Sequence, residues 1–139
     1  MQVSDVMSER VIHVSPDTGI QEIARVMRDG EVGSVPVASN DRLIGMVTDR
    51  DIVIRGLAGA EDPSTLTAAD VMTPEVAYCF EDDSLDDVLV NMAAQQIRRL
   101  PVVGRDKRLK GIVSLGDVAK SANPATSGKA LERISEPME

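Results

Sequence analysis

The feature that most constrains this fold is a repeat. Gly45-Met46-Val47-Thr48-Asp49-Arg50-Asp51 returns in altered form as Gly111-Ile112-Val113-Ser114-Leu115-Gly116-Asp117, so the chain is built twice. Each copy reads as a glycine, two apolar strand residues, a hydroxyl residue able to cap a helix, and an aspartate three positions later. Such a strand-to-helix corner presents a hydroxyl, a carboxylate and backbone N–H groups on one side, which suits a ribose and a phosphate. The same residues also make an ordinary capping box, in which Thr48 or Ser114 closes the first helical turn and Asp51 or Asp117 bonds back. Spacing alone leaves both roles open.

The repeat keeps its register over a long stretch. Asp5-Val6-Met7 returns as Asp70-Val71-Met72, 65 residues on, and Val35-Pro36-Val37 returns as Leu100-Pro101-Val102 at the same distance. Gly45 and Gly111 are 66 apart, which places one extra residue in the turn of the second copy, where insertions are tolerated. Val11 to Val14 and Val76 to Cys79 are short strand candidates. Ile20, Ile23, Ala24 and Met27 share one helical face, as do Leu85, Val88, Leu89 and Met92. Two strands follow in each copy, Ser34 to Ala38 with Leu43 to Thr48 and Leu100 to Val103 with Leu109 to Ser114, turning at Asn40-Asp41 and Arg105-Asp106. A second helix then carries Ile52, Val53 and Leu57, or Val118 and Ala119. The expected organisation is a first domain at 1–60, a linker at 61–66, a second domain at 67–122 and a mobile tail at 123–139, with a helical turn at Lys129 to Ile134.

Composition removes several function classes. At 139 residues the chain can bury one core, or two half-domains that share one. A formal net charge of −8 opposes attraction to nucleic acid and to anionic membranes. With Tyr78 and Phe80 the only aromatics besides His13, there are no platforms for stacking single-stranded bases. The N-terminus lacks a secretory signal and no apolar run reaches spanning length, so a cytoplasmic location is expected. Cys79 and His13 fall short of the roughly four ligands of a structural zinc site, so no metal is expected. There is no evident nucleophile-base pair and no Gly-x-x-x-x-Gly-Lys loop, which argues against an enzyme.

A duplicated unit with Asp-Val-Met at its start, an apolar-Pro-apolar strand and Gly-x-x-Thr/Ser-x-x-Asp at its second helix resembles the cystathionine-β-synthase (CBS) domain pair, or Bateman module. The likeness covers residues 1 to about 122, and Thr48-Asp49-Arg50-Asp51-Ile52 is particularly similar to the stand-alone bacterial CBS-pair proteins. The resemblance implies a mixed α/β architecture of two pseudo-symmetric β-α-β-β-α units packed through their sheets, with clefts between them. It implies ligands that are adenosine derivatives: AMP, ADP, ATP, S-adenosylmethionine or NAD(H). Carried over by position, Thr48 and Asp51 match the ribose-binding pair of one cleft, and Ser114 and Asp117 that of the other. Val11, Ile12, Val35 and Pro36, and likewise Val76, Ala77, Leu100 and Pro101, match the adenine cage. Arg98 and Arg99, and more weakly Arg50, match positions that reach phosphates, where guanidinium groups suit phosphate oxygens.

The resulting expectation is a sensor that needs no cofactor of its own. It binds a regulatory adenosine nucleotide and passes a change in packing to an unidentified partner protein, which requires different affinities in two states. The alternative is a structural module with empty clefts, serving dimerisation or docking. A homodimer is expected through outward apolar stripes on the helices at 20–28 and 85–93. Because Leu115-Gly116 replaces Asp49-Arg50, and Ile97-Arg98-Arg99 replaces Val32-Gly33-Ser34, the two copies are not expected to be equivalent.

Overall fold

The computed structural model describes residues 1–74 and 76–121. The tail at 123–139, with its expected helical turn, lies outside the described residues. The chain packs as two compact units whose limits cut across the repeats: Ile12–Val76 forms one, and Met1–Val11 with the chain from Ala77 onward forms the other.

In the Ile12–Val76 unit, α1 (Ile20–Gly30) leads into a hairpin of β1 (Ser34–Ser39) and β2 (Arg42–Thr48). A helical run follows, beginning as α2 (Asp49–Asp51) and continuing with π-type hydrogen bonding over Ile52–Leu57. A short α3 (Ala68–Val71) closes the unit. Ile20, Ile23 and Met27 turn one face of α1 onto Val35, Val37 and Val47 of the hairpin and Ala68 and Val71 of α3. In the run after α2 the buried stripe is Ile52 and Gly56. A Cβ on Gly56 would stand 3.0 Å from Ile20 Cδ1, so the glycine sets the approach of the two helices. Val53 and Leu57, the other apolar residues of this run named above, point outward and are 50% and 60% exposed.

The other unit has a three-stranded sheet ordered β3 (Cys79–Phe80), β4 (Arg99–Val103) and β5 (Leu109–Ser114), with α4 (Leu85–Gln95) and α5 (Leu115–Ser121). Its core joins Val3 to Leu89, Met92, Leu100, Val113 and Val118. The leading strands are shorter than expected. β3 is two residues pairing in parallel with β4, and Val14 makes only an isolated bridge to Val37.

The turns account for the change in repeat spacing. Asn40 and Asp41 both adopt left-handed φ, 51° and 65°, as a two-residue hairpin turn needs, and Ser39 pairs with Arg42. In the second hairpin Gly104 N donates to Arg108 O at 2.9 Å across a three-residue loop, with Lys107 in the left-handed region. The extra residue therefore sits in the loop.

The motif Asp-Val-Met has a packing role. Asp5 and Asp70 cap their own turns, accepting from Gln2 N and Thr67 N at 2.8 Å. Each methionine fills the space over a repeated glycine. A Cβ on Gly45 would lie 2.7 Å from Met72 Sδ, and one on Gly111 would lie 2.8 Å from Met7 Sδ. Met72 thus covers the glycine of the first copy and Met7 that of the second, which is why the units do not follow the repeats.

The outward stripes expected on the first helix of each copy are absent. Ile20, Ile23 and Met27 are used inside one unit, and Leu85, Val88, Leu89 and Met92 inside the other. The outer face of α1 carries the exposed pairs Arg25–Glu22 and Arg28–Asp29, and α4 exposes only Val90 among its large apolar residues. Among the described residues no helix is long and apolar enough to cross a membrane.

Candidate functional site

The corner at Thr48 is closed by its own hydrogen bonds. Asp51 N donates to Thr48 Oγ1 at 3.0 Å, and Thr48 N donates to Asp51 Oδ2 at 2.9 Å, a complete capping box. The second carboxylate oxygen, Oδ1, faces Arg55 Nη1 at 3.8 Å, and the Asp51 side chain is 13% exposed. Arg55 also donates to the carbonyls of Val71 and Met72, at 3.1 and 3.3 Å, and so ties the corner to the end of α3. No sequence pattern marks Arg55; only its spacing of four residues after Asp51 hints at the contact. Arg50 does not pair with Asp49 or Asp51: its guanidinium is exposed, and only its backbone N–H meets Asp49, at 2.8 Å.

The corner at Ser114 is half made. Asp117 N donates to Ser114 Oγ at 3.2 Å, but among the described residues the exposed Asp117 carboxylate has no hydrogen-bond partner and no cation within salt-bridge distance. Leu115-Gly116 in place of Asp49-Arg50 makes this helix start less polar. Strand register supplies the compensating charge. Arg99 stands directly across from Ser114 in the β4–β5 ladder, where the first copy sets Ser34 across from Thr48. Directly opposed residues lie about 5 Å apart at Cβ. Arg98 adjoins the corner through its carbonyl, which accepts from Leu115 N at 2.7 Å, as Gly33 O accepts from Asp49 N at 2.9 Å. Arg98 and Arg99 are both exposed, and neither has a carboxylate partner among the described residues.

The residues matched to an adenine cage fall into two groups. Val35 and Leu100 are 0% exposed, held in the two cores opposite Val47 and Val113, and Pro36 and Pro101 are also buried. Ile12 is 42% exposed and touches the position of Gly30, while Val11, Val76 and Ala77 are half-buried. Ile12 and Val76 belong to the unit of Thr48, and Val11 and Ala77 to that of Ser114.

Burial, with the charge of Asp83 second, pushes the Cys79 thiol up to about 12, so it stays protonated. Among the described residues no three His, Cys, Asp or Glu side chains converge as a metal site would require.

A family model described as the CBS domain matches residues 3–57 and 68–123. The protein YlbB of Bacillus subtilis is 39% identical over 138 residues, covering 97% of this chain and 92% of the relative. Hypoxic response protein 1 of Mycobacterium tuberculosis is 36% identical over 135 residues, with 96% of this chain and 94% of the relative covered. Its crystal structure, which holds two coordinated zinc ions, superposes with a TM-score of 0.77 over 88% of this chain and 100% of that one. CBSX2 in complex with AMP is similar at a TM-score of 0.74 and 26% identity, over 86% and 94% of the two chains. The CBS pair of protein MJ0100, with 5-methylthioadenosine and S-adenosylmethionine, gives 0.71 and 27%, with the same coverage.

Proposed function

The chain belongs to the CBS-domain family, and we propose that it is a regulatory module, acting in the cytoplasm, that binds an adenosine derivative and passes the change to a partner protein. The observation that carries this reading is the Ser114 corner: a carboxylate at Asp117 uncommitted among the described residues, with Arg99 set across from Ser114 and Arg98 beside it. An ionised carboxylate can accept from both vicinal hydroxyls of a ribose. The two guanidinium groups supply donors for phosphate, so AMP, ADP and ATP fit better than ligands without phosphate, such as S-adenosylmethionine. Pro101 and Ala77 line the adenine side, and Leu100 backs it from the core. The matching positions at the other corner, Thr48 and Asp51 for ribose, Ile12 and Pro36 for adenine and Arg50 for phosphate, make at most a weaker second site. The closed capping box of that corner favours a structural role for it.

The test is calorimetric titration of AMP, ATP and S-adenosylmethionine into wild type, Asp51→Asn and Asp117→Asn, with urea melts of each. Asp117→Asn removes a charged acceptor worth about 1.5 to 3 kcal/mol, so nucleotide affinity falls roughly ten- to a hundredfold while stability barely changes. Asp51→Asn weakens a cap and costs about 0.5 to 1 kcal/mol of stability, with the smaller loss of affinity. Unchanged affinity in Asp117→Asn removes the ribose assignment there, and no heat from any adenosine ligand in wild type leaves the structural module as the better reading.

Assembly is part of the proposal. Val53, Ile54 and Leu57, each at least half exposed on one helical run, offer a second copy the apolar surface that α1 and α4 do not. Light scattering at tens of micromolar gives a dimer mass, which Leu57→Glu lowers; a wild-type monomer refutes it.

A further inference from the structure

The two units differ at the end remote from these corners, around the hairpin turns. In the Met1–Val11 and Ala77-onward unit this region is filled by the chain's own side chains. Tyr78 and Phe80 pack edge to face with centroids 5.6 Å apart. Arg105 lies 4.0 Å above the Phe80 ring and makes a two-pronged contact with Asp82, at 2.8 and 3.2 Å. Lys107 stands 5.0 Å from the Tyr78 ring.

The Ile12–Val76 unit has the corresponding hairpin end, with a turn one residue shorter and without these side chains. By the 65-residue repeat, Ser15 stands where the other unit has Phe80, and His13 where it has Tyr78. The turn carries Asn40 and Asp41 in place of Arg105, Asp106 and Lys107, and Asp41 matches Lys107 in its left-handed φ, 65° against 66°. What remains is a groove of about 410 Å³ with Val14, Val26 and Ala38 among its walls. Glu22 and Asp41 are its acidic lining residues; His13 also lines it, as do Ser15 and Thr18, whose hydroxyls lie 2.9 Å apart, and neither lysine nor arginine does. Glu22 has an exposed contact to Arg25 at 3.4 Å, a weak commitment that an incoming cation can displace.

We propose that this groove is a binding site for a guanidinium group, which would occupy the place Arg105 fills in the other unit. Three features select that chemistry. The charge at the turn is inverted between units, from cations to Asp41, so the missing element is a cation. The walls combine apolar side chains with hydrogen-bond acceptors, which suits a flat, weakly hydrated cation on an alkyl stem better than a compact ammonium. The volume lost by replacing a phenyl ring and an arginine with Ser15 and Asn40 is of the size that such a group requires. The site is separate from the Thr48 corner and independent of nucleotide binding.

The experiment is an amide-resolved NMR titration of the full-length chain with agmatine, with N-acetyl-argininamide, and with N-acetyl-citrullinamide, the citrulline isostere whose ureido group is uncharged. Saturable shifts centred on Ser15, Asn40 and Asp41 are expected with a guanidinium ligand at affinities on the order of millimolar, and at least about tenfold weaker with the citrullinamide. Binding by agmatine alone identifies a small-molecule guanidinium; binding by both identifies an arginine side chain as an equally competent source. The double variant Ser15→Phe with Asn40→Arg rebuilds the filled end and abolishes the shifts. Glu22→Gln, an exposed substitution that leaves the fold intact, weakens them about fivefold or more and serves if the double variant does not fold. Absence of saturation, equal binding of the citrullinamide, or binding unaffected by Glu22→Gln overturns the assignment.

Discussion

Gly111→Ala tests the packing that joins the start of the chain to the second repeat. An added Cβ would stand 2.7 Å from the Ser8 carbonyl oxygen and 2.8 Å from Met7 Sδ, where an unstrained carbon–oxygen contact is roughly 3.3 Å or more. The methionine is flexible and can swing aside. The Ser8 carbonyl cannot, because Ser8 and Ile112 exchange both backbone hydrogen bonds at 2.9 Å. Relieving about 0.6 Å of overlap therefore loosens that bridge, and hydrogen bonds contribute about 0.5 to 1.5 kcal/mol each. Overpacking of this kind costs about 1 to 3 kcal/mol, so a loss near 2 kcal/mol is expected, lowering the urea midpoint by about 1 M. Gly116→Ala is the control. Its Cβ would meet nothing nearer than Ser114 Oγ at 3.9 Å, and in the exposed first turn of α5 the change should gain up to about 0.5 kcal/mol. If both variants melt alike, or Gly111→Ala melts as wild type, the close packing inferred at Gly111 is wrong.

Two further outcomes follow from local structure. Glu31 ends α1 in the left-handed region, φ 54°, as Gln96 ends α4 at φ 53°; Glu31→Gly should raise stability by about 0.5 to 1 kcal/mol in urea melts, and a loss would contradict that backbone. Cys79, buried and raised to about 12 from an ordinary value of 9.0, should react with a thiol reagent at pH 8 at least about a hundredfold more slowly in the native than in the urea-unfolded chain. Because the unfolded thiol ionises first, stability should hold below pH 9 and fall as pH rises toward 12, and Cys79→Ser should flatten that fall.

The elements legible in the sequence were those specified by short-range pattern. The helices at Ile20 and Leu85 announce themselves by apolar spacing, the strands flank residues suited to turns, and the repeat offset alone locates the inserted loop residue. Long-range choices were not legible. Asp-Val-Met is the same in both copies, so nothing local says that Met72 covers Gly45 while Met7 covers Gly111. Val35 and Leu100 read equally as pocket or core, because strands buried on both faces lose the alternation that would separate the two. The outer stripe expected on α1 failed for a related reason: one apolar face was asked to serve both a sheet and a partner, and Ile20, Ile23 and Met27 are consumed by the first. The Thr48–Asp51 and Ser114–Asp117 pairs are legible as residue types, but whether a carboxylate is free depends on geometry that spacing does not carry.

That last point bears on why a duplicated unit would keep two unlike corners. A carboxylate oxygen that already accepts an N–H has less to gain from a ligand hydroxyl, and a ligand that draws it away must first break the cap. At Thr48 the carboxylate of Asp51 is engaged by the backbone and approached by Arg55, so the corner stabilises its helix start with or without a ligand. At Ser114, among the described residues, only the hydroxyl is engaged, and the exposed Asp117 can meet a ligand without that cost. The groove ends show the opposite division, filled beside Phe80 and Arg105 and open beside Ser15 and Asn40. The two copies thus diverge in which end is closed: the Thr48 corner is capped while its hairpin end is open, and the Ser114 corner is half made while its hairpin end is filled.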